Sequence, residues 1–392
     1  MTMIKRCWAV VCFGLLCLQA YCENWMARLP DRAYVSTLTI PGAHDAATGS
    51  GWASGYAELA DQYARTQDLT IADQWTLGIR AFDLRPCSYS DHLNLNHGMM
   101  PTVLHFDEVL CQLRDSLLAN PSEFVVIHLL HATDGDQVKD VYESQLLDVL
   151  RRSDLKDFLV GFKSYLRVSD MRGKILILSR NTYATSPVGG FFQNWTGSAE
   201  WSQQTQGRIV GPNGATGTLY MQDYAETWAE GAQQTKIDAL CRLLDFSTTH
   251  RTLVPSQIVW VFNFMSAFSK RMSLLGYNIS LSDGYRDNAT HTHAALLQYL
   301  ESHAPGPVGV VLMDYVGVDE SAGYAVRGRE TVRTLIEHNF RYMEEKTDCV
   351  IPLRCDLPRE AYSLQGMRLH SPQKDAINIV READGKVRKV LR

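Results

Sequence analysis

The sequence holds no Cys-x-x-Cys pair, so a structural zinc cluster has no ligand frame. It has no excess of positive charge. Thirty-eight Lys and Arg stand against 43 Asp and Glu, and a net charge of −5 argues against nucleic acid as a partner. Beyond the N-terminus no apolar tract is long enough to span a bilayer. Paired cysteine is scarce as well. Past residue 22 the chain keeps Cys87, Cys111, Cys241, Cys349 and Cys355, an odd set that cannot all pair within one molecule. Cys349 and Cys355 flank Ile351-Pro352 and are placed for a local disulfide. Cys111 and Cys241 lie on helix-like runs and read as buried thiols.

What is present is an ordinary globular composition, 45% hydrophobic and 21% charged over 392 residues. The first residues have the layout of a signal peptide. Lys5-Arg6 is basic, Cys7 to Leu18 is apolar, and Ala20-Tyr21-Cys22 suits cleavage near residue 22. Export to the cell surface, the periplasm or the medium is expected. From Val35 to about Met343, strand-like and helix-like runs alternate. Leu104–Leu118, Val138–Leu150, Ile237–Leu244, His293–His303 and Gly323–Met343 have helical spacing. Val35–Ile40, Glu123–Leu130, Lys174–Leu178, Leu219–Met221, Ile258–Phe264 and Val308–Met313 read as strands. Strands separated by helices imply a parallel sheet, and this many imply an α/β fold of the TIM-type barrel class, distorted or incompletely closed. Gly189 to Gly217, rich in Gly, Ser, Gln and Trp, reads as a long loop over the barrel mouth. A boundary falls near 346. Beyond it short β-runs around Asp384-Gly385 predict a hairpin in a small β tail, residues 346–392.

Three early stretches carry chemistry. Thr39-Ile40-Pro41-Gly42-Ala43-His44-Asp45 is a strand, a Pro-Gly turn, then His and Asp. Gly78-Ile79-Arg80-Ala81-Phe82-Asp83-Leu84-Arg85 is a strand with charges at its end. Leu93-Asn94-Leu95-Asn96-His97-Gly98 is a third, ending in His. In a parallel barrel the strand C-termini open on one face, where chemistry sits. Two histidines can form an acid/base pair, and an arginine between them can grip a phosphate with its planar fork of donors.

These stretches, together with Gly173–Arg180, Met221-Gln222-Asp223-Tyr224 and Val311–Tyr315, resemble the catalytic X-type domain of the phosphatidylinositol-specific phospholipases C, the bacterial branch above all. The likeness covers roughly residues 25 to 345. It implies that His44 is a general base oriented by Asp314, that His97 is a general acid supported by Asp45, and that Arg85 holds the phosphate. It implies a headgroup pocket made by Asp83, His131, Arg180, Asp223 and Tyr224. His131 falls where many bacterial relatives have a lysine, and Tyr224 follows Asp223 one residue sooner than is common. The implied reaction is attack of the inositol 2-hydroxyl on phosphorus, giving diacylglycerol and inositol 1,2-cyclic phosphate. The tail is similar to sorting modules of exported bacterial proteins.

No cofactor and no metal ion are expected, because Arg85, two residues after Asp83, is a permanent cation where calcium-dependent relatives hold the ion. The expected partner is phosphatidylinositol in a membrane surface, approached reversibly by a monomer. Trp52, Tyr56, Phe191, Phe192, Trp195 and Trp201 are the aromatics expected to ring the mouth. His128, His291 and His293 read as structural or surface residues. Two other classes stay open: a metal-assisted glycerophosphodiesterase on the same barrel, and a non-catalytic module that binds inositol lipids. Free phosphatidylinositol and a glycosylphosphatidylinositol anchor are not distinguished.

Overall fold

A computed structural model describes residues 24–197, 207–250, 259–274 and 277–348, with four short strands between 360 and 391. The expected signal peptide, Cys349, Cys355 and Trp201 lie outside the described residues.

Buried aliphatic runs make the barrel wall. In chain order the strands are β1 (Thr39–Ala43), β2 (Ala81–Leu84), β3 (Pro86–Ser88), β4 (Leu93–His97), β5 (Met100–His105), β6 (Val125–Leu129) and β7 (Ile175–Ser179). They continue with β8 (Gly190–Gln193), β9 (Gly207–Val210), β10 (Thr216–Gln222), β11 (Val259–Phe264), β12 (Arg271–Leu274), β13 (Tyr277–Ser280) and β14 (Gly309–Met313). Nine of these close into a barrel in the order β1-β14-β11-β10-β9-β8-β7-β6-β2. Val-Val-Ile-His-Leu in β6 and Ile-Leu-Ile-Leu-Ser in β7 are buried at every position, as parallel strands covered on both faces should be. The departure from a regular eightfold barrel is distortion and not an open seam. β9 runs antiparallel to both β8 and β10, while the other seven contacts around the ring are parallel.

Helices cover the outside. They are α1 (Ala57–Tyr63), α2 (Ile71–Thr76), α3 (Phe106–Ala119), α4 (Tyr142–Leu150), α5 (Val168–Met171), α6 (Ala232–Asp245), α7 (Ser282–Ser302) and α8 (Gly328–Asp348). α3 buries Phe106, Val109, Leu110, Leu113 and Leu117, one stripe of a 3.6-residue period. α7 begins eleven residues before the expected His293. Its first half buries the polar or small Ser282, Gly284, Arg286 and Asn288 along with Tyr285 and Ala289, so the apolar period there is weak.

The structure corrects several expectations. Val35–Thr37 is a 3-10 turn, and the strand begins at Thr39. The run Leu93–His97 is a strand, but it belongs to a separate three-stranded antiparallel sheet, β3-β4-β5, beside the barrel. Gly189 to Gly217 is not one long loop. β8 and β9 within it are barrel wall, and Phe191 and Phe192 are 6% and 5% exposed inside. Gly189 permits this entry into the sheet: its φ is +92°, and a Cβ there would lie 1.9 Å from the Ile177 carbonyl oxygen. Trp52 is also buried, its indole N–H donating to Asp61 at 2.6 Å. Among the described residues Cys87, Cys111 and Cys241 are free thiols. Cys87 is buried, and the other two are only half-buried.

The chain divides into two compact units, Met1–Met343 and Glu344–Arg392. In the second, β15 (Glu360–Tyr362), β16 (Arg368–Leu369), β17 (Ile377–Arg381) and β18 (Val387–Leu391) form an antiparallel sheet in the order β16-β15-β17-β18. β17 and β18 pair from Ile377↔Leu391 to Arg381↔Val387, flanking Asp384-Gly385.

A buried ion pair ties the strand starts together. Arg80, fully buried, donates from Nε to Glu123 Oε2 at 2.9 Å and from Nη1 to the Trp75 and Ile79 carbonyls at 2.9 and 2.8 Å. Its guanidinium also lies 3.8 Å from the Trp75 ring centroid. Removing one member would leave the other charge buried alone. Glu123→Ala is therefore expected to cost about 3–5 kcal/mol of stability, read from the urea midpoint. A loss below about 1 kcal/mol would show that the pair is dispensable.

Candidate active site

Barrel register assembles the site. Ala43 pairs with Met313 of β14 on one side and with Phe82 of β2 on the other, so the next residues along the three strands are His44, Asp314 and Asp83. Asp83 in turn pairs with His128 of β6. Four titratable side chains therefore stand in a row on neighbouring strands. The His44 amide extends the ladder to the Met313 carbonyl at 2.9 Å. Gln67 fastens the same corner, donating to the His44 and Met313 carbonyls at 2.8 Å each and accepting from Val316 N–H. Gly42 allows the close packing beneath. A Cβ there would meet Leu312 Cδ2 at 2.7 Å and Ala81 Cβ at 2.8 Å. The chain then turns through Asp45 at φ +42°, a left-handed conformation that Asp tolerates better than most residues, and its N–H donates to Asp83 Oδ2 at 3.2 Å.

Arg85 sits at the centre. Its Nη2 is 2.7 Å from His44 Nε2 and 2.9 Å from Asp83 Oδ2, its Nε is 3.2 Å from that oxygen, and its Nη1 is 3.0 Å from Asp45 Oδ2. A guanidinium has no acceptor, so it must donate to His44, and His44 Nε2 must be a bare lone pair. Nδ1 then carries the hydrogen and donates to Asp314 Oδ1 at 2.7 Å. The geometry holds His44 as a neutral imidazole with its basic atom facing Arg85. Burial, and then the charge of Arg85, press the His44 pKa well below the usual histidine range. Burial raises Asp314 well above the usual carboxylate range, with repulsion from Asp45 adding to it. Burial would raise Asp83 too, but Arg85 and His128 outweigh it and hold that carboxyl well down.

His97 reaches the same place from the lateral sheet. Its Nδ1 donates to the Ala64 carbonyl at 2.6 Å. The Nε2 atoms of His97 and His44 lie 3.7 and 3.6 Å from one oxygen, Asp45 Oδ2. That oxygen is buried and has no aligned hydrogen-bond donor among the described residues. The expected support of His97 by Asp45 is thus an electrostatic contact, and the hydrogen bonds that orient His97 come from Ala64 and from Tyr285. The Tyr285 hydroxyl is 3.3 Å from His97 Nε2. His44, Asp45 and Asp83 also converge closely enough to be cation ligands, but the Arg85 guanidinium touches all three and fills the space between them.

The headgroup residues separate into two sets. Arg180 Nη1 meets Asp223 Oδ2 at 3.3 Å, the Trp195 indole N–H donates to the same oxygen at 2.8 Å, and the Arg180 guanidinium lies 4.6 Å from the Trp195 ring centroid. Tyr224 is half-buried beside them in sequence, with its amide donating to Gln222 Oε1 at 2.8 Å. Asp83 and His131 stand apart from this group. Asp83 is fully buried and both its oxygens are engaged, Oδ1 by His128 at 2.7 Å, so it acts through Arg85 and offers no face to a headgroup. His131 is stacked flat on Tyr142, with centroids 3.6 Å apart, and bonded to Asp136 at 2.9 Å, which occupies its ring face and Nε2.

Three supports were not legible in the motifs. His128 is packed among Phe192, Trp195 and Phe264. Lys236 is fully buried, and its Nζ donates to the Tyr224, Phe264 and Ser266 carbonyls at 2.6, 2.6 and 2.9 Å with Gln222 Oε1 at 3.1 Å, tying down the ends of β10 and β11. Burial lowers its pKa to about 7. Tyr285 comes from the polar first half of α7. Strand pairing would have signalled His128 as the neighbour of Asp83. Nothing in the spacing signals the other two. His293, expected to be structural, supports the Asp314 carbonyl through Nε2 at 3.0 Å and is bonded to Thr331 through Nδ1, while His291 is exposed.

No protein-family model matches the chain. It is 24% identical over 307 residues to the 1-phosphatidylinositol phosphodiesterase of Staphylococcus aureus strain Newman, covering 75% of this chain and 88% of that one. With the enzyme of that name from Listeria monocytogenes it shares 29% identity over 169 residues, 41% of this chain and 49% of the other. A solved phosphatidylinositol-specific phospholipase C from S. aureus superposes with a TM-score of 0.62 over 82% of this chain and 99% of that one, at 20% identity. The Listeria enzyme superposes at 0.56 over 81% and 98%. The chain is related to the bacterial phosphatidylinositol-specific phospholipases C.

The tautomer of His44 is open to direct measurement. Histidine resonances followed by NMR are expected to show His44 neutral at neutral pH, protonating only below the usual histidine range. In Arg85→Ala the lost positive charge should move that titration upward. An unchanged midpoint in the variant would overturn the assignment.

Proposed function

We propose that the protein is a phosphatidylinositol-specific phospholipase C that splits its substrate by internal attack. His44 Nε2 takes the proton of the inositol 2-hydroxyl, and that oxygen attacks phosphorus. The bond from phosphorus to the glycerol oxygen breaks, and His97 Nε2 gives its proton to that oxygen. Diacylglycerol and inositol 1,2-cyclic phosphate result. The attacking group is already tethered, which removes much of the entropic cost. Arg85, released from His44 as the hydroxyl enters, pairs with the phosphate oxygens and meets the charge that builds on them. Arg180 and Asp223 receive inositol hydroxyls, with Tyr224 beside them. The observation that carries this reading is the convergence of two imidazole Nε2 atoms and one guanidinium on Asp45 Oδ2. An acid, a base and a phosphate-sized cation share one small volume.

The reading includes a reaction without a metal ion, because Arg85 supplies the positive charge. His44→Ala and His97→Ala are each expected to lower turnover of phosphatidylinositol by about a hundredfold to ten-thousandfold. Wild-type activity should survive excess EDTA, and added calcium should not restore Arg85→Ala. Loss of wild-type turnover in chelator, recovered by calcium, would favour the metal-assisted glycerophosphodiesterase class instead.

A lipid substrate requires a docking face. Phe191, Phe192 and Trp52 cannot supply it, being buried. Tyr56, Leu59, Met99 and Val103 are the better group, 40%, 48%, 68% and 51% exposed. Tyr56 caps α1 and Leu59 lies on it, Met99 is in the β4–β5 turn and Val103 on β5, and a small apolar cluster of Trp52, Ala60, Ala64 and Met100 joins these elements. Ala64 holds His97, so this apolar surface borders the acid. The S. aureus relative is itself a membrane binder. We assign a phosphatidylinositol bilayer as the occupant, with a monomer, exported after cleavage near residue 22, as the docking species. No helix among the described residues is long and apolar enough to cross a membrane. Leu59→Ser and Met99→Ser should each weaken sedimentation with phosphatidylinositol vesicles by about tenfold and leave a soluble inositol phosphodiester unaffected. Equal loss on both would indicate damage to the fold.

A further inference from the structure

We infer that Tyr285 is a positioning residue for the general acid, a hydroxyl that serves both protonation states of His97; this rests on the phospholipase C reading above. The Ala64 carbonyl can only accept, so His97 Nδ1 always carries its hydrogen, and Nε2 is the atom that gains and loses the catalytic proton. Asp45 Oδ2 is 3.7 Å from Nε2, beyond hydrogen-bond reach. Tyr285 Oη is 3.3 Å away, and on its other side it is 3.1 Å from Ser280 Oγ.

A phenol placed this way can turn. When His97 is neutral, the Tyr285 O–H donates to the Nε2 lone pair. When His97 is an imidazolium, Nε2–H donates to Tyr285 Oη, and the phenol hydrogen goes to Ser280 Oγ. Nε2 then passes its proton to the departing glycerol oxygen as the P–O bond breaks. The N–H electron pair stays on nitrogen, and the Tyr285 O–H swings back to fill it. A neutral partner orients the acid without gripping its proton as a carboxylate would. Burial keeps the phenol protonated far above neutral pH. The ring is fixed by its own packing: its centroid is 5.7 Å from His97, 6.3 Å from His44 and 5.9 Å from Phe268. Only the hydroxyl hydrogen needs to move.

The role predicts a dependence on the leaving group. Glycerol needs a proton to depart, whereas nitrophenolate does not. Tyr285→Phe keeps the ring and removes the hydroxyl. On phosphatidylinositol in detergent micelles its kcat should fall about tenfold to a hundredfold with KM nearly unchanged. On 4-nitrophenyl inositol 1-phosphate its kcat should stay within about twofold of wild type. Ser280→Ala, which removes only the second partner of the hydroxyl, should show the same split with a smaller loss and decides the matter if Tyr285→Phe does not fold. Equal losses on the two substrates, or none on phosphatidylinositol, would overturn the role of Tyr285 alone. A wild type that turned over neither substrate would overturn the phospholipase C reading itself.

Discussion

One guanidinium holds the site together. Asp45 and Asp83 are almost wholly removed from solvent, and two neighbouring carboxylates in such a place repel each other and lose their hydration. Arg85 meets both, and its remaining reach goes to His44. The same group therefore neutralises the carboxylates, fixes a tautomer and fills the position that the surrounding ligand atoms could otherwise offer to a cation. Its contacts depend on a planar fork of donors, which a lysine ammonium would not reproduce.

Arg85 can do this because the barrel closes in one register. Asp314 and His44 directly follow β14 and β1, Asp83 and His128 lie in β2 and β6, and residues far apart in the chain come into line through strand pairing. A shift of one residue in any of these pairings would turn the side chains to the other face. Gly42 and Gln67 guard that register from below and behind, and the buried Arg80–Glu123 pair guards it at the strand starts.

Much of this was legible in the sequence where local chemistry and strand order agree. The His-Asp pair after the first strand, the charged end of the Asp83 strand and the alternation of strands and helices all pointed to a barrel with a reactive rim, although Pro41-Gly42, read as a turn, is itself strand and pairs with Val311 and Leu312 of β14. The misreadings have physical causes. His97 ends a strand of the right pattern, but nothing in five residues tells whether a strand joins a barrel or a lateral hairpin. Phe191 and Phe192 lie in a stretch whose Gly, Ser and Gln suggested a loop, and only pairing with β7 and β9 shows them as wall. Tyr285 and Lys236 are positioned by tertiary packing, and no spacing rule reaches them. Asp83 was placed in the headgroup pocket because its position at a strand end says nothing of how deeply it is covered.

The acid and the base hang from different sheets. His44 belongs to a closed barrel whose strands have no free edge, and His97 to three short antiparallel strands at its flank. The lateral sheet packs Leu93 and Leu95 into the barrel's own core, but small sheets with open edges give way at less free energy than a closed barrel, so the half of the site that carries His97 is the less protected one. Under mild denaturing stress the flank should let go first. What remains is a base, a phosphate clamp and an assembled headgroup pocket without a proton donor: a state that can still grip an inositol phosphodiester and start the attack, yet cannot let the alcohol leave.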